Sequence, residues 1–106
     1  MARGILGKAE AGTGDTAVYT VPADNFAVVT INTCNTTTQT RSVRIAIADD
    51  AANVQTEEYI EYDVDLIGAG TLERTGIVID AGKTVVARSN STGVAVMVYG
   101  IETSIV

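Results

Sequence analysis

Apolar and polar side chains alternate along much of the chain with a period of two residues, which predicts β-strands rather than helices. The clearest case is the segment 43–48, in which Val43, Ile45 and Ile47 are separated by an arginine and two alanines. Successive side chains of a strand point to opposite faces of its sheet. This segment is therefore predicted to bury one aliphatic face and to leave an outer face that is polar or small.

Eight short segments carry either this alternation or a run of β-branched residues, and turn-forming residues separate them at intervals of about 8–12 residues. They are residues 5–11, 16–21, 26–33, 43–48, 58–66, 73–79, 83–89 and 94–99, of which the first has the weakest pattern. Many short strands at this spacing are typical of an antiparallel sandwich or a small barrel. The predicted fold is all-β, an antiparallel β-sandwich of about eight short strands with jelly-roll or immunoglobulin-like order.

The connections between these segments are rich in turn-forming residues. Residues 90–93, Asn-Ser-Thr-Gly, are predicted to join the last two strands as a hairpin with a four-residue loop. The Thr-rich tract 33–40 is predicted to be the exposed tip of another hairpin. Between residues 66 and 76, Gly68 and Gly70 are expected to supply positive φ at a strand–turn–strand corner, because this Gly-x-Gly lacks the Lys-Ser/Thr ending of a phosphate-binding loop.

Both ends of the chain carry apolar side chains, whereas chain ends are usually polar. Ile5 and Leu6 lie near the start, and Ile105 and Val106 close the chain. Two alternatives follow: the ends add edge strands to the chain's own sheets, or one end reaches a neighbouring subunit. The sequence predicts an N-terminal arm, 1–15, and a β-sandwich domain, 16–106. Deletion of residues 2–11 is expected to leave the fold intact.

The amino-acid composition excludes several kinds of catalytic and metal site. The 106 residues suffice for one domain and carry a net charge of −6, the opposite sign to that of most nucleic-acid binders. The chain has no His and one Cys, so no imidazole can activate a serine or Cys34, and neither an internal disulfide nor a multi-thiolate zinc site can form. No apolar run is long enough to cross a membrane. We expect a protein that is not an enzyme and that uses no cofactor or metal.

The segment 57–66 is the most acidic part of the chain. Strict alternation would place the odd-numbered residues from Glu57 to Asp65 on one face and the even-numbered residues on the other. The first face would hold four carboxylates in a row, and Ca²⁺ is bound by six to eight such oxygens. The segment has no loop that would curl these oxygens inward, so a solvated negative face is the favoured interpretation. Glu73 and Arg74 begin the next strand. Two alternatives are open for them: one of the two faces inward or across a subunit boundary, or they belong to a surface ion pair.

A further pattern is the order of strands and turns along the chain. It is formed by residues 19–23 leading into 28–32, then by 59–63, 70–78, 81–85 and 98–102. In these stretches the chain resembles the small β-sandwich virion proteins of tailed bacteriophages. The resemblance extends over the chain from Thr16 onward. It contains no catalytic signature and rests on the order of strands and turns.

The resemblance implies a capsid decoration (cement) protein. Such proteins bind the outer capsid, often as homotrimers, and stabilise contacts between subunits of the major capsid protein. It also implies a location on the virion surface after synthesis in the bacterial cytoplasm, with no nucleic-acid, membrane or small-molecule partner. The residues assigned to partner contacts are Ile5, Leu6, Glu73, Arg74, Ile105 and Val106.

Two other functions remain open at this point. The first is a structural module of the phage tail, baseplate or fibre. The loops at 36–39 and 90–93 contain no aromatic residue, which favours decoration over a sugar-binding fibre tip. The second is a ligand- or calcium-binding β-domain of a cellular protein, which Ca²⁺-dependent thermal stability would favour.

Overall fold

The computed structural model describes residues 3–105, which form two antiparallel four-stranded sheets packed against each other. The predicted all-β sandwich is confirmed. One short 3₁₀ turn, Thr56–Glu58, lies outside the sheets. The strands are β1 (Arg3–Ala11), β2 (Thr16–Thr20), β3 (Asn25–Asn35), β4 (Arg41–Ala48), β5 (Tyr59–Leu66), β6 (Thr71–Ile79), β7 (Thr84–Ser89) and β8 (Val94–Ser104).

The strand order is that of a jelly roll. The first sheet runs β1-β8-β3-β6 and the second runs β2-β7-β4-β5. Each strand of the first half pairs with its counterpart counted from the other end, β1 with β8, β2 with β7, β3 with β6 and β4 with β5. The chain is thus one long antiparallel ribbon rolled into two sheets. An immunoglobulin-like order would instead keep several consecutive strands side by side.

Consecutive strands share a sheet only at β4 and β5. The hairpin predicted around residues 90–93 is therefore wrong, because β7 and β8 belong to different sheets and the loop crosses between them. The hairpin tip predicted at 33–40 is also wrong. Thr33 and Asn35 lie buried at the end of β3, and the chain then crosses to β4 in the second sheet.

The core lies between the sheets and consists mainly of aliphatic side chains. Alternation along β3 and β8 places Val29, Ile31, Val96 and Val98 on the inner surface, all at most 2% exposed. Ile31 lies directly opposite Val98. Val43 and Ile45 contribute from the second sheet. Burial of such side chains is the main favourable term in folding.

The outer face of β4 is covered at Ala46 and Ala48, contrary to the expectation that it is solvent-facing. Ala46 and Ala48 are fully buried in a second small cluster together with Val86 of β7. Ala51 and Val54, from the β4–β5 connection, pack over them. The small residues of this face therefore serve to accommodate an overlying loop.

The N-terminal stretch is an edge strand of the molecule's own first sheet. Strand β1 pairs with β8 from Arg3 opposite Ile101 to Ala11 opposite Val94. Ala11 is 1% exposed and Leu6 packs against the core. The structure argues against the expectation that removing residues 2–11 leaves the fold intact, because the deletion would remove a paired strand and core contacts.

The corner between β5 and β6 differs from its prediction in detail. The positive φ belongs to Ala69, at 62°, and not to Gly68 or Gly70. Gly68 is required for a different reason, since a Cβ there would lie 2.6 Å from the backbone oxygen of Thr38. The glycine thus permits two loops to approach each other closely.

Candidate functional site

The outer surface of the first sheet carries an unusual concentration of exposed apolar side chains. We call it the apolar face and define it by Ile5 (β1), Val28 (β3), Val78 (β6), Met97 and Ile101 (β8). Their exposed fractions range from 37% for Met97 to 68% for Val78. Isolated exposed apolar residues are ordinary, whereas a contiguous group indicates an interaction surface.

Strand register makes this surface continuous. Val28 lies directly opposite Val78 on one side and opposite Ile101 on the other, which places three apolar side chains side by side across β6, β3 and β8. Ile5 lies opposite Tyr99 of β8. Directly opposed Cβ atoms in a sheet are about 5 Å apart, so these side chains are in contact range.

A shallow groove of about 640 Å³ extends the apolar face along β1, β8 and β3. Met97, Ala95 and Tyr99 contribute from β8, and Cys34 from β3. Cys34 is half-buried and unpaired, near the end of β3. The remaining lining residues include Lys8, Glu10 and Asn32, which give the groove a polar rim.

Glu73 is held at the β6 side of this face. It accepts a hydrogen bond from the Tyr99 hydroxyl at 2.8 Å and one from Asn32 Nδ2 at 3.5 Å. The bond to Glu73 raises the pKa of Tyr99 above its ordinary value. Glu73 therefore lies beside the candidate surface, but its carboxylate already accepts hydrogen bonds from Tyr99 and Asn32 of the same chain.

Arg74 has a different role from its neighbour. Its Nε lies 3.2 Å from Oε2 of Glu61, which joins β6 at the edge of the first sheet to β5 at the edge of the second. Arg74 thus contributes to closing the open side of the sandwich. Glu73 and Arg74 do not form a joint site.

The two ends place their predicted contact residues in different environments. Ile5 is 61% exposed and belongs to the apolar face, whereas Leu6 packs against the core. Ile105 is 60% exposed, and its backbone N–H donates to the Asp24 carbonyl at 2.9 Å. Val106 lies outside the described residues. Of the six predicted contact residues, Ile5 lies on the candidate surface and Glu73 lies at its margin.

The acidic strand does not present a row of carboxylates, which corrects the predicted alternation. Register shifts occur between Val43 and Ile45, and between Ile45 and Ala46, where β5 holds extra residues opposite β4. Asp63 sits in one of these bulges with φ of 53°. Bulges reverse the side on which the following side chains lie. Consequently Glu61 turns towards the first sheet.

Asp63 instead faces outward, where it pairs with Arg44 at 2.6 Å. Beside it, Tyr62 is 56% exposed and not part of the core. Within residues 3–105, no three His, Cys, Asp or Glu side chains are placed to hold a metal ion together. The same part of the chain forms no helix long and apolar enough to span a membrane.

Sequence reasoning missed four members of the apolar face: Val28, Val78, Met97 and Ile101. A signal was present, because β3 and β8 carry apolar residues on both faces, as in Val28-Val29 and Val96-Met97-Val98. Such runs indicate a strand covered on both sides. Here only the inner side is covered by the chain itself.

No protein-family model matches this chain, and no curated protein shows a significant sequence match to it. The candidate surface is therefore interpreted from its own geometry.

Proposed function

We propose that this protein is a bacteriophage capsid decoration protein that binds the outer capsid through the apolar face and stabilises contacts between major capsid protein subunits. The observation that carries the proposal is the continuous exposed row formed by Val78, Val28 and Ile101 across three strands. Covering such a row removes apolar area from water, which favours association with another protein surface. The resemblance to small phage virion proteins supports a capsid protein as the partner.

The size of the face fits a contact that acts in many copies. The four strands are 9–11 residues long, so at about 4.8 Å spacing the outer surface of the first sheet, which includes the apolar face, covers roughly 600 Å². A stable interface of standard size covers about 800 Å² on each partner. One face alone is therefore expected to bind weakly. Assembly as a homotrimer, with several faces engaging one capsid, would raise the effective affinity by multivalency.

Cosedimentation with capsids tests the proposal. Purified protein would be mixed with empty capsids of the encoding phage that lack it, and separately with isolated tails. Val78→Asp places a charge at the β6 end of the Val78–Val28–Ile101 row and is expected to abolish capsid cosedimentation. The matched control is Ile67→Asp, because Ile67 is 70% exposed, similar to Val78, but lies in the β5–β6 corner away from the face.

The outcomes separate the alternatives. Capsid binding that Val78→Asp removes and Ile67→Asp retains would support the proposal. Binding to tails and not to capsids would replace decoration by a tail or baseplate role. Equal capsid binding by both variants would refute the assignment of the apolar face. Light scattering on a sizing column gives the oligomeric state in solution. A protein that is a monomer in solution and also binds capsids as a monomer would refute the trimer.

A further inference from the structure

A row of four charges crosses the outer surface of the second sheet, on the opposite side of the molecule from the apolar face. Arg44 of β4 lies directly opposite Arg88 of β7. Asp63 flanks Arg44 from the bulge of β5, and Asp15, just before β2, flanks Arg88. The order across the sheet is therefore acid, base, base, acid.

The guanidinium groups of the two arginines at the centre of this row differ in how many of their N–H donors have a partner. Arg44 donates from Nε and Nη2 to the two carboxylate oxygens of Asp63, at 2.6 and 3.2 Å, and its guanidinium lies 4.2 Å from the centre of the Tyr62 ring. Arg88 reaches Asp15 only at 3.8 Å and makes no hydrogen bond to any residue between 3 and 105. Like charges placed directly opposite each other in a sheet are destabilising. The arrangement thus leaves an open guanidinium beside a second one.

The two arginines line a polar cleft of about 260 Å³, together with Thr13, Ser42, Asp63, Ser89 and Asn90. Asn90 uses its Oδ1 to accept the Ser42 backbone N–H at 3.0 Å, which fixes the amide and leaves its NH₂ group as a further donor. The cleft is smaller than sites for drug-sized ligands, which begin at about 300 Å³. Its size and its donors suit one small group.

We propose that this cleft binds an oxyanion, a carboxylate or a phosphate group, between Arg88 and Arg44. Arginine presents parallel N–H donors that match the oxygens of such groups. An oxyanion here would satisfy the open donors of Arg88 and offset the repulsion between the two guanidinium groups. Asp63 holds Arg44 in place, so Arg88 and the Asn90 amide make the principal contacts. The site does not rest on the proposed capsid function.

NMR titration of the full chain tests the site. Sodium phosphate and sodium acetate would be added in separate titrations, with sodium chloride adjusting every point to one ionic strength, while the Arg88 Nε–Hε and Asn90 side-chain signals are followed. Saturable shifts of these signals are expected, and the probe that saturates at lower concentration identifies the preferred oxyanion. Arg88→Gln is expected to weaken the binding by about tenfold or more.

Two further variants complete the test. Arg88→Lys keeps the charge and the position beside Asp15 but removes the paired donors, so it should bind less tightly than the parent and more tightly than Arg88→Gln. Arg3→Gln makes the same change in net charge on β1 of the other sheet and should bind like the parent. Shifts that never saturate, or that persist equally in Arg88→Gln, would overturn the proposal and leave the row as a self-contained set of ion pairs.

Discussion

Asn35 connects the two sheets at one end of the sandwich, and its replacement by alanine gives the sharpest test of the fold. The residue is fully buried at the end of β3. Its Nδ2 donates to the backbone carbonyls of Gln39, Leu66 and Ile67 at 2.7, 3.0 and 3.1 Å. Its Oδ1 accepts the backbone N–H and the hydroxyl of Thr37 at 3.0 and 2.7 Å. One side chain thus ties the β3–β4 loop to the end of β5.

The expected cost of Asn35→Ala follows from the groups it leaves behind. The Leu66 carbonyl bond is buried, and a buried polar group left without a partner costs about 1–3 kcal/mol. The backbone carbonyls of Gln39 and Ile67 and the backbone N–H of Thr37 are partly exposed, so water can replace some of the hydrogen bonds that they lose. The expected total loss in the free energy of unfolding is about 3 kcal/mol. With an unfolding entropy of about 2.1 cal/mol/K per residue, the melting temperature should fall by about 13 °C.

Thermal and urea unfolding, followed by circular dichroism at several protein concentrations, would measure this effect. Asn32→Ala is the matched control, since Asn32 lies on the same strand but faces outward and makes one long bond to Glu73. That control should stay within about 0.5 kcal/mol of the parent. If Asn35→Ala were no more destabilising than Asn32→Ala, the proposed role of the buried amide would be wrong.

Two further predictions concern single side chains. The Thr33 hydroxyl is buried without a hydrogen-bond partner among the described residues, so Thr33→Val should raise the free energy of unfolding by about 1 kcal/mol in urea titrations, and a loss of stability would contradict this. The hydrogen bond from Arg44 lowers the pKa of Asp63 below its ordinary value of 3.8, so ionised Asp63 adds stability that is complete above that value and is lost as pH falls through the lowered pKa. The stability advantage of the parent over Asp63→Asn, a residue that tolerates the positive φ, should therefore shrink between about pH 5 and about pH 2, and a constant difference over this range would refute the assignment.

The sequence determined the positions of the strands well where β-branched runs end at clear turns. Residues 16–21 and 83–89 were predicted to within one residue of β2 and β7. Strand β6 begins two residues before its predicted start, directly after the Gly-x-Gly corner. Strand β8 continues past its predicted end because Gly100, which follows the predicted segment 94–99, resembles a break. Gly100 lies within β8 where a Cβ would collide with the Val28 backbone oxygen, so this glycine permits close strand contact and does not mark a turn.

The candidate sites were harder to predict because bulges decide which way side chains face. Strict alternation placed Glu61 and Asp63 on one face, whereas the bulged register of β5 sends Glu61 to Arg74 and Asp63 to Arg44. A bulge depends on pairing with β4, which local sequence does not specify. The sequence likewise contained no sign of the cleft between Arg44 and Arg88, since these residues are 44 positions apart in the chain and only the sheet places them opposite each other.

The sequence by itself determined that this chain is a β-sandwich, since period-two alternation is a local property that each segment carries alone. Only the tertiary structure decided which strands are neighbours. A four-residue connection such as 90–93 can span either the roughly 5 Å between paired strands or the roughly 10 Å between packed sheets. The same loop therefore fits a hairpin or a crossing. The choice of the jelly roll, and with it the exposed outer face of β1-β8-β3-β6, comes from the packing of the whole ribbon.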